Sequence, residues 1–444
     1  MHQATFDSTA RASVTLLVAC LVVTAGLPGA VAGATASGSS PIAIGNCGTI
    51  DEPGEYVLSG DLAAADDCLA VTADDVTIDG GGAVLAGNGS GIAIAAAGVD
   101  NLTVTNVTLR NWSTGVSLRD VTDATVAGTT VENASLGVAI DDGARDVTLR
   151  DSEIRNGSMG VRVHADASDV AVVDAELTAL TGIGVDLRGE ESRVSNSTFD
   201  GTGGAAVAVT GDEALVANNT VRNTVGGIVV SDVSGATVRG NTLVEVEGIS
   251  IHVAGTGDVE YPKVRPAPTF HGFGVLLHPM LPAGMADVSF GGATGATSSV
   301  GDVETTTRRY VDVTMVSPQP PTPIRVVGNV VRNSNGNGIV ATNTTGVVVQ
   351  ENSVVSSRDG VRIAGGSGAT VANNTALWNR DDGITIAASA DATLHNNTVR
   401  NNTDDGLYIV GDGAVVTNTL ARENGDDGID VHNSTLTLVR GARL

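Results

Sequence analysis

The chain has 444 residues and a formal net charge of -26, with 24 Lys and Arg against 50 Asp and Glu. Such an acidic surface repels nucleic acids and anionic membranes, so it excludes both as partners. Lys263 is the only lysine. An acidic, lysine-poor composition favours solubility in a salt-rich medium, and we expect a halophilic source, an archaeon.

The N-terminal residues have the layout of a secretory signal. Arg11 precedes an apolar stretch over residues 14–31, and small residues follow at Ala32, Ala34 and Ala36. This pattern predicts a signal peptide over residues 1–36 and a secreted protein, extracellular or at the cell surface. As an alternative, the Leu-Val-Ala-Cys20 sequence inside the apolar stretch resembles a lipoprotein cleavage box, which would anchor the mature chain by lipid. No further membrane span is predicted.

Residues 37–75 are predicted to form an N-terminal cap. Removal of the signal leaves Cys47 and Cys68 as the only cysteines, and in an oxidising compartment such a pair predicts a disulfide. A solenoid end exposes unpaired strand edges, which is why a cap is expected before the first coil.

Two blocks, residues 76–253 and 324–444, contain one repeat. A Gly-apolar-x-apolar run recurs every 21 to 24 residues, beginning at Gly91, Gly115, Gly137, Gly160, Gly184, Ala206, Gly227, Gly248, Gly338, Gly360, Gly383, Gly406 and Gly428. Alternation in very short runs at such a period indicates a solenoid made of strands and turns. We predict an all-β parallel β-helix of about 13 coils, each with three strands.

A second series supports this prediction and is interpreted as a structural ladder. Asn tolerates the left-handed backbone of a sharp turn, and stacked amides can bond from coil to coil. The series comprises Asp151, Asp174, Asn196, Asn219, Asn241, Asn329, Asn352, Asn374, Asn397 and Asn418.

The repeat is interrupted once, over residues 254–323, where most of the prolines lie. Insertions in solenoids often extend the binding face, and the alternative is a loop that covers the flank. His271, His278, Met280 and Met285 are close together here. Imidazole and thioether are ligands suited to copper, although Met beside Phe and Leu also packs.

Asp-Asp-Gly corners recur in the last coils. Stacking would bring Asp382, Asp404, Asp405 and Asp427 into rows about 5 Å apart, where they could bind Ca²⁺ or serve as acid and base on a glycosidic bond. The alternative is that Asp-Asp-Gly is a favoured turn sequence. Four arginines near this edge could bind an anionic sugar, namely Arg358, Arg380, Arg400 and Arg422.

The stretch from Cys47 to Leu58, followed by Cys68 and Val76-Thr-Ile-Asp-Gly-Gly-Gly, resembles haloarchaeal secreted proteins with NosD-like repeats. The wider class is the right-handed parallel β-helix proteins, including pectate lyases, polygalacturonases and NosD-type copper-associated proteins. The resemblance implies a right-handed helix and contact with carbohydrate. Asn402-Thr-Asp404-Asp405 and Asp426-Asp427 imitate two polygalacturonase motifs, but that family's Gly-His and Arg-x-Lys are missing from this C-terminal region. The Asp-Pro-His-Glu motif of alginate epimerases is absent too.

These observations predict an extracellular β-helix scaffold that binds a polysaccharide or surface glycan, or contributes to the cell surface, without catalysis. The first alternative is a polysaccharide lyase, hydrolase or epimerase that uses the stacked carboxylates. The second is a NosD-like copper accessory protein. Ca²⁺ is a more plausible cofactor than copper, and a monomer is expected. Many Asn-x-Ser/Thr sequons, such as Asn111 and Asn133, could carry glycans outside the cell.

Overall fold

The fold is described from a computed structural model, which covers residues 40–255, 322–432, 434 and 437–443. Residues Pro41–Leu444 form one compact unit. Every regular element in the described part of the chain is a strand. No helix that could cross a membrane occurs among these residues. The predicted signal peptide and its Cys20 lie outside them.

Three parallel sheets run the length of the solenoid, and the chain visits them in a fixed order. Sheet 1 holds the strands that begin at or after the repeat glycine. Its 15 strands are Gly48–Ile50, Leu69–Val71, Ile92–Ala97, Thr114–Arg119, Leu136–Ile140, Met159–Val163, Val185–Leu187, Ala205–Val209, Gly226–Ser231, Ile251–Ala254, Ile339–Thr342, Val361–Ala364, Ile384–Ala387, Leu407–Val410 and Ile429–His432.

Sheet 2 follows sheet 1 in every coil. Its 16 strands are Ile42–Ile44, Gly54–Leu58, Val76–Asp79, Asp100–Thr105, Thr122–Ala127, Arg145–Arg150, Ala171–Val173, Arg193–Ser195, Leu215–Ala217, Thr237–Arg239, Arg325–Val327, Val348–Gln350, Thr370–Ala372, Thr393–His395, Val415–Thr417 and Leu438–Arg440.

Sheet 3 completes the coil and leads back to sheet 1. Its 14 strands are Leu62–Ala63, Val84–Ala86, Thr108–Arg110, Thr130–Glu132, Glu153–Arg155, Glu176–Thr178, Thr198–Asp200, Thr220–Arg222, Thr242–Val244, Val330–Arg332, Ser353–Val355, Thr375–Leu377, Thr398–Arg400 and Leu420–Arg422.

The prediction of a parallel β-helix with three strands per coil is confirmed. The 15 strands of sheet 1 mark about 15 coils, and the repeat had identified the last 13 of them. The sheet 1 strands of the two additional coils, Gly48–Ile50 and Leu69–Val71, lie within residues 37–75, whose strands from Ile42 onward join the same three sheets. Cys47 and Cys68 form a disulfide there, with their Cα atoms 4.5 Å apart.

The core is a stack of small and β-branched side chains from all three sheets. In sheet 1, Ile384 pairs with Leu407 and Ile386 with Ile409, and all four side chains are completely buried. Their neighbours in the strand point outward, because successive strand side chains alternate between faces. This alternation is the physical origin of the apolar-x-apolar run.

An amide ladder follows sheet 2, as predicted, but four of its expected members do not belong to it. The buried members are Asn219, Asn241, Asn329, Asn352, Asn374 and Asn397. Each of the first five amides donates to the amide of the next coil, as in Asn352 Nδ2–H donating to Asn374 Oδ1 over 3.0 Å.

Asp151, Asp174, Asn196 and Asn418 were expected in this ladder and lie one residue before it. Their backbone φ angles are 51 to 54°, so they occupy the exposed left-handed position of the turn. Ser152, Ala175, Ser197 and Thr419 take the inward position in those coils.

The register of the sheets continues across the interruption of the repeat. Thr237 pairs with Arg325 and Ile251 with Ile339, so the strands on either side of the predicted insertion are direct neighbours. Most of that insertion, residues 256–321, lies outside the described residues.

Candidate functional site

The site is built on the corner through which the chain passes from sheet 3 to sheet 1 in the C-terminal coils. The residue before each repeat glycine forms one row, which we call the carboxylate row: Asp359, Asp382, Asp405 and Asp427. Glycine is required next because a Cβ on Gly383 would lie 2.6 Å from the backbone oxygen of Gly406. The predicted Asp382, Asp405 and Asp427 are therefore stacked, and Asp359 extends their row.

Hydrogen bonds link this row along the solenoid. The backbone N–H of Asp405 donates to Asp382 Oδ1 over 3.2 Å, and that of Asp427 donates to Asp405 Oδ1 over 2.9 Å. The Thr385 hydroxyl donates to Asp382 Oδ2 over 2.9 Å. The carboxylates of Asp382 and Asp405 thus hold the turn of the following coil in place.

Burial changes the acidity of the row. The side chains of Asp382 and Asp405 are only 8% and 5% exposed, and desolvation raises the pKa of each to about 6. Burial also raises the pKa of Asp359, and the nearby Asp381 carboxylate adds to that effect. Asp427, in the last of these coils, is exposed.

A second row lies beside the first and is more accessible. We call Asp381, Asp404 and Asp426 the outer carboxylates. Ligand oxygens of Asp381, Asp382 and Asp404 lie within 4.8 Å of one another, as do those of Asp404, Asp405 and Asp426. Clustered carboxylate oxygens are the donor set of Ca²⁺, so these residues fit such an ion.

The four arginines do not form one row. Arg358 and Arg380 lie in the corner itself, whereas Arg400 and Arg422 end neighbouring strands of sheet 3. Arg358 Nε is 3.6 Å from Asp381 Oδ2, and Arg400 pairs with Glu423 over 2.6 Å.

Arg380 turns back along the solenoid and donates to the backbone oxygens of Ser334 and Asn335, over 2.8 and 2.6 Å. Of the four arginines, only Arg358 makes an ion pair with an outer carboxylate.

Sequence reasoning missed the column of side chains on the outer face of sheet 1. Arg362, Thr385, Tyr408 and Asp430 follow one another in register, directly beside the carboxylate row. They are the x of each Gly-apolar-x-apolar run, so the repeat itself carried the signal that could have found them. Asp430 lies close enough to Asp405 to contribute to its raised pKa.

His432 joins this column at its end. Its Nε2 is 2.7 Å from Asp430 Oδ2, and its ring lies 5.9 Å from the ring of Tyr408. Asp430, His432 and Tyr408 therefore form one group on this face, and Asp430 is its member close to Asp405.

Trp378 is the other missed residue. It belongs to the same corner as Asp381 and Asp382, and 55% of its side chain is exposed. Its φ of 52° is unfavourable for a bulky residue, and the other coils place Ser356, Asn401 or Glu423 at this position. The predicted copper ligands His271, His278, Met280 and Met285 lie outside the described residues.

The family profile described as "Right handed beta helix region" matches residues 90–261 and 321–442. The chain belongs to the right-handed β-helix family. No curated protein matches its sequence.

Solved structures are similar to this chain at low sequence identity. An alginate lyase from Paenibacillus sp. str. FPU-7 is 22% identical, with a TM-score of 0.42 over 47% of this chain and 86% of that one. The A-module of the mannuronan C-5 epimerase AlgE6 from Azotobacter vinelandii is 14% identical, with a TM-score of 0.42 over 89% and 90%. A mutant tailspike protein of E. coli bacteriophage HK620, in complex with a pentasaccharide, is 11% identical, with a TM-score of 0.45 over 89% and 72%.

Proposed function

We propose that this β-helix protein is an extracellular scaffold, made by a halophile, that binds a polysaccharide at the corner containing Trp378 and the carboxylate row and does not cleave it. The observation that carries the proposal is the exposed Trp378, a large aromatic held in a backbone conformation that disfavours it. A strained residue at an exposed position points to a role in binding rather than in folding.

The corner offers the groups that a sugar chain needs. Indole and phenol rings present flat apolar faces together with a polar group, and carboxylates accept hydrogen bonds from hydroxyls. The outer carboxylates repeat at the strand spacing of about 4.8 Å, which suits a repeating ligand. Ca²⁺ held by Asp404, Asp405 and Asp426 would let an anionic sugar approach this acidic edge.

The absence of cleavage is proposed from the hydrogen bonds of the row. Both side-chain oxygens of Asp382 accept intramolecular hydrogen bonds, and Oδ1 of Asp405 is committed to the backbone of the next coil. Carboxylates engaged in this way stabilise turns. The extracellular location is supported by the Cys47–Cys68 disulfide, since disulfides persist in oxidising compartments.

The test is a glycan-binding measurement on Trp378→Asn. Asn401 occupies the same corner position in the next coil at a φ of 56°, so the substitution introduces a residue that this turn already accepts. Pectate, alginate and surface glycans would be titrated in molar KCl with and without Ca²⁺. We expect binding to be lost in Trp378→Asn and kept in the matched Ser356→Asn variant, one coil earlier. Equal binding by both variants would refute the proposal.

Catalysis on the same polysaccharide is the second candidate, and one observation favours it. Asp405, with a pKa of about 6, lies close to Asp430, which contacts His432, and no donor among the described residues contacts Oδ2 of Asp405. New reducing ends and unsaturated uronates would be followed in the wild-type protein and in Asp405→Asn. Turnover by the wild type that disappears in the variant would establish that the protein is an enzyme. Binding without turnover would support the proposal of a non-catalytic scaffold.

A further inference from the structure

A separate cluster lies far along the chain from the carboxylate row, where two stacked turns lead from sheet 1 to sheet 2. The first turn follows the strand Leu136–Ile140 and is closed by Ala144 N–H donating to the Asp141 oxygen over 3.2 Å. The second follows Met159–Val163, and Ala167 N–H donates to the His164 oxygen over 3.1 Å. His164 N–H donates to the Ile140 oxygen over 2.8 Å, which fixes the second turn on the first.

Three metal-ligating side chains converge between these turns. Nδ1 of His164 lies 2.5 Å from Asp142 Oδ1 and 3.7 Å from Asp166 Oδ2, and the three ligand atoms are all within 4.8 Å of one another. Ligands of an ion with metal–ligand distances of about 2.0–2.2 Å stand roughly 3–3.5 Å apart. Small side-chain adjustments on these two hydrogen-bonded turns would bring the three atoms to that spacing.

The imidazole nitrogen is in a conflicting environment. The backbone N–H of Asp166 donates to His164 Nδ1 over 3.3 Å, which requires an unprotonated nitrogen. An unprotonated Nδ1 would place its lone pair against the Asp142 carboxylate, a repulsive contact unless a cation lies between them. A proton could bridge these two atoms alone, whereas a metal ion would also bind Asp166.

The local charge favours a divalent cation. Asp141 is neutralised by Arg162 over 2.9 Å. In the described part of the chain, no Arg or Lys makes an ion pair with Asp142 or Asp166, whose only ion-pair partner is His164. Asp142 and Asp166 therefore place two negative charges beside His164 without an Arg or Lys among the described residues to balance them, and a bound cation would reduce their repulsion.

We infer that Asp142, His164 and Asp166 bind a divalent transition-metal ion of the Zn²⁺, Co²⁺ or Mn²⁺ type, which bridges two successive coils. The imidazole distinguishes this site from the all-oxygen carboxylate row, because Ca²⁺ takes oxygen ligands and Zn²⁺ accepts nitrogen with oxygen. With three protein ligands on the surface, water would complete the coordination. The inference does not depend on glycan binding.

The experiment is a titration of the purified full-length protein with Co²⁺ and with Zn²⁺, using the visible absorption of bound Co²⁺ and the heat of Zn²⁺ binding. We expect His164→Gln and Asp142→Asn each to weaken one binding event by at least roughly tenfold. The control His395→Gln removes another described histidine, outside the cluster, and should leave that event unchanged.

Metal selectivity gives a second, independent readout. Excess Ca²⁺ should not compete for the site. Thermal unfolding of the metal-free variants would show that they remain folded. If neither substitution changes Co²⁺ or Zn²⁺ binding, or if no binding occurs at micromolar metal, His164 and Asp142 form a simple proton-bridged pair and the inference is wrong.

Discussion

The backbone N–H of Asp405 donates to Oδ1 of Asp382 in the preceding coil over 3.2 Å, so one carboxylate holds the turn of its neighbour. Both acids are buried, and both have a pKa of about 6 instead of 3.8. The arrangement stabilises a turn and at the same time confines two negative charges, which makes the stability of this region depend on pH.

The first prediction is that acidification from pH 7.5 to 5 stabilises this region. Between pH 3.8 and about 6 the folded protein binds protons at Asp382 and Asp405 that the unfolded chain does not, so the free energy of unfolding rises as the pH falls through that window. Allowing for solvent screening, we expect roughly 1–2 kcal/mol for the pair.

The matched control is the double variant Asp382→Asn, Asp405→Asn. The amide is compatible with this row, because Oδ1 of Asn337 already accepts the backbone N–H of Asp359. Urea unfolding at both pH values should show the variant more stable than the wild type at pH 7.5, with the difference shrinking at pH 5. A difference that is independent of pH would contradict the raised pKa values.

The second prediction concerns the glycine that follows the row. A Cβ on Gly406 would lie 2.5 Å from the Gly428 backbone oxygen and 2.6 Å from Asn424 Nδ2. Because backbone must move to relieve such a contact, Gly406→Ala should destabilise the last coils by about 2–3 kcal/mol. Gly60→Ala is the control, since a Cβ there meets nothing within 4 Å. Denaturant unfolding that ranks the two variants equally would refute this account.

Much of the fold could be predicted from the sequence because each coil is formed by the same short-range pattern of glycines and alternating apolar residues. The spacing of the glycines predicted the length of each coil. The apolar-x-apolar alternation predicted which side chains of Ile384–Ala387 face the core. The repeat could not show which of two consecutive polar residues turns inward, because Asn373 and Asn374 recur with the same period. Their left-handed and buried positions are distinguished only by backbone conformation.

The candidate site was predicted only in part, for a different reason. The Asp-Asp-Gly motif revealed Asp382 and Asp405, but Asp359 follows Arg358 and so escaped the pattern. Trp378 and His432 carry no repeated signal of their own. The periodicity of the sequence implies that the coils stack. Whether a given side chain then lies near the row depends on the direction in which that side chain points, which the periodicity does not show.

The third prediction compares the stability contributed by a buried asparagine of the ladder with that of an exposed asparagine in the left-handed position beside it. Asn352 Oδ1 accepts from the backbone N–H of Asn329, and its Nδ2 donates to Val326 and Asn374. Asn352→Ala would leave several buried polar groups unpaired, and we expect a loss of about 3 kcal/mol. Asn373→Gly, at the exposed left-handed position, should change the unfolding free energy by no more than about 0.5 kcal/mol. Denaturant midpoints measure both, and similar midpoints would show that the ladder contributes little.

The fourth prediction concerns the N-terminal coils. The Cys47–Cys68 disulfide has a sequence separation of 21 residues, and a loop of that size contributes about 3 kcal/mol. In a solenoid each coil contacts only its neighbours, so the loss should remain local. Cys47→Ser with Cys68→Ser should therefore speed amide exchange around Ile50 and Leu69 and leave Ile409 protected. Hydrogen exchange followed by mass spectrometry measures this, with the reduced wild type as a second comparison. Uniformly faster exchange along the whole chain would instead mean that the solenoid unfolds as one cooperative unit.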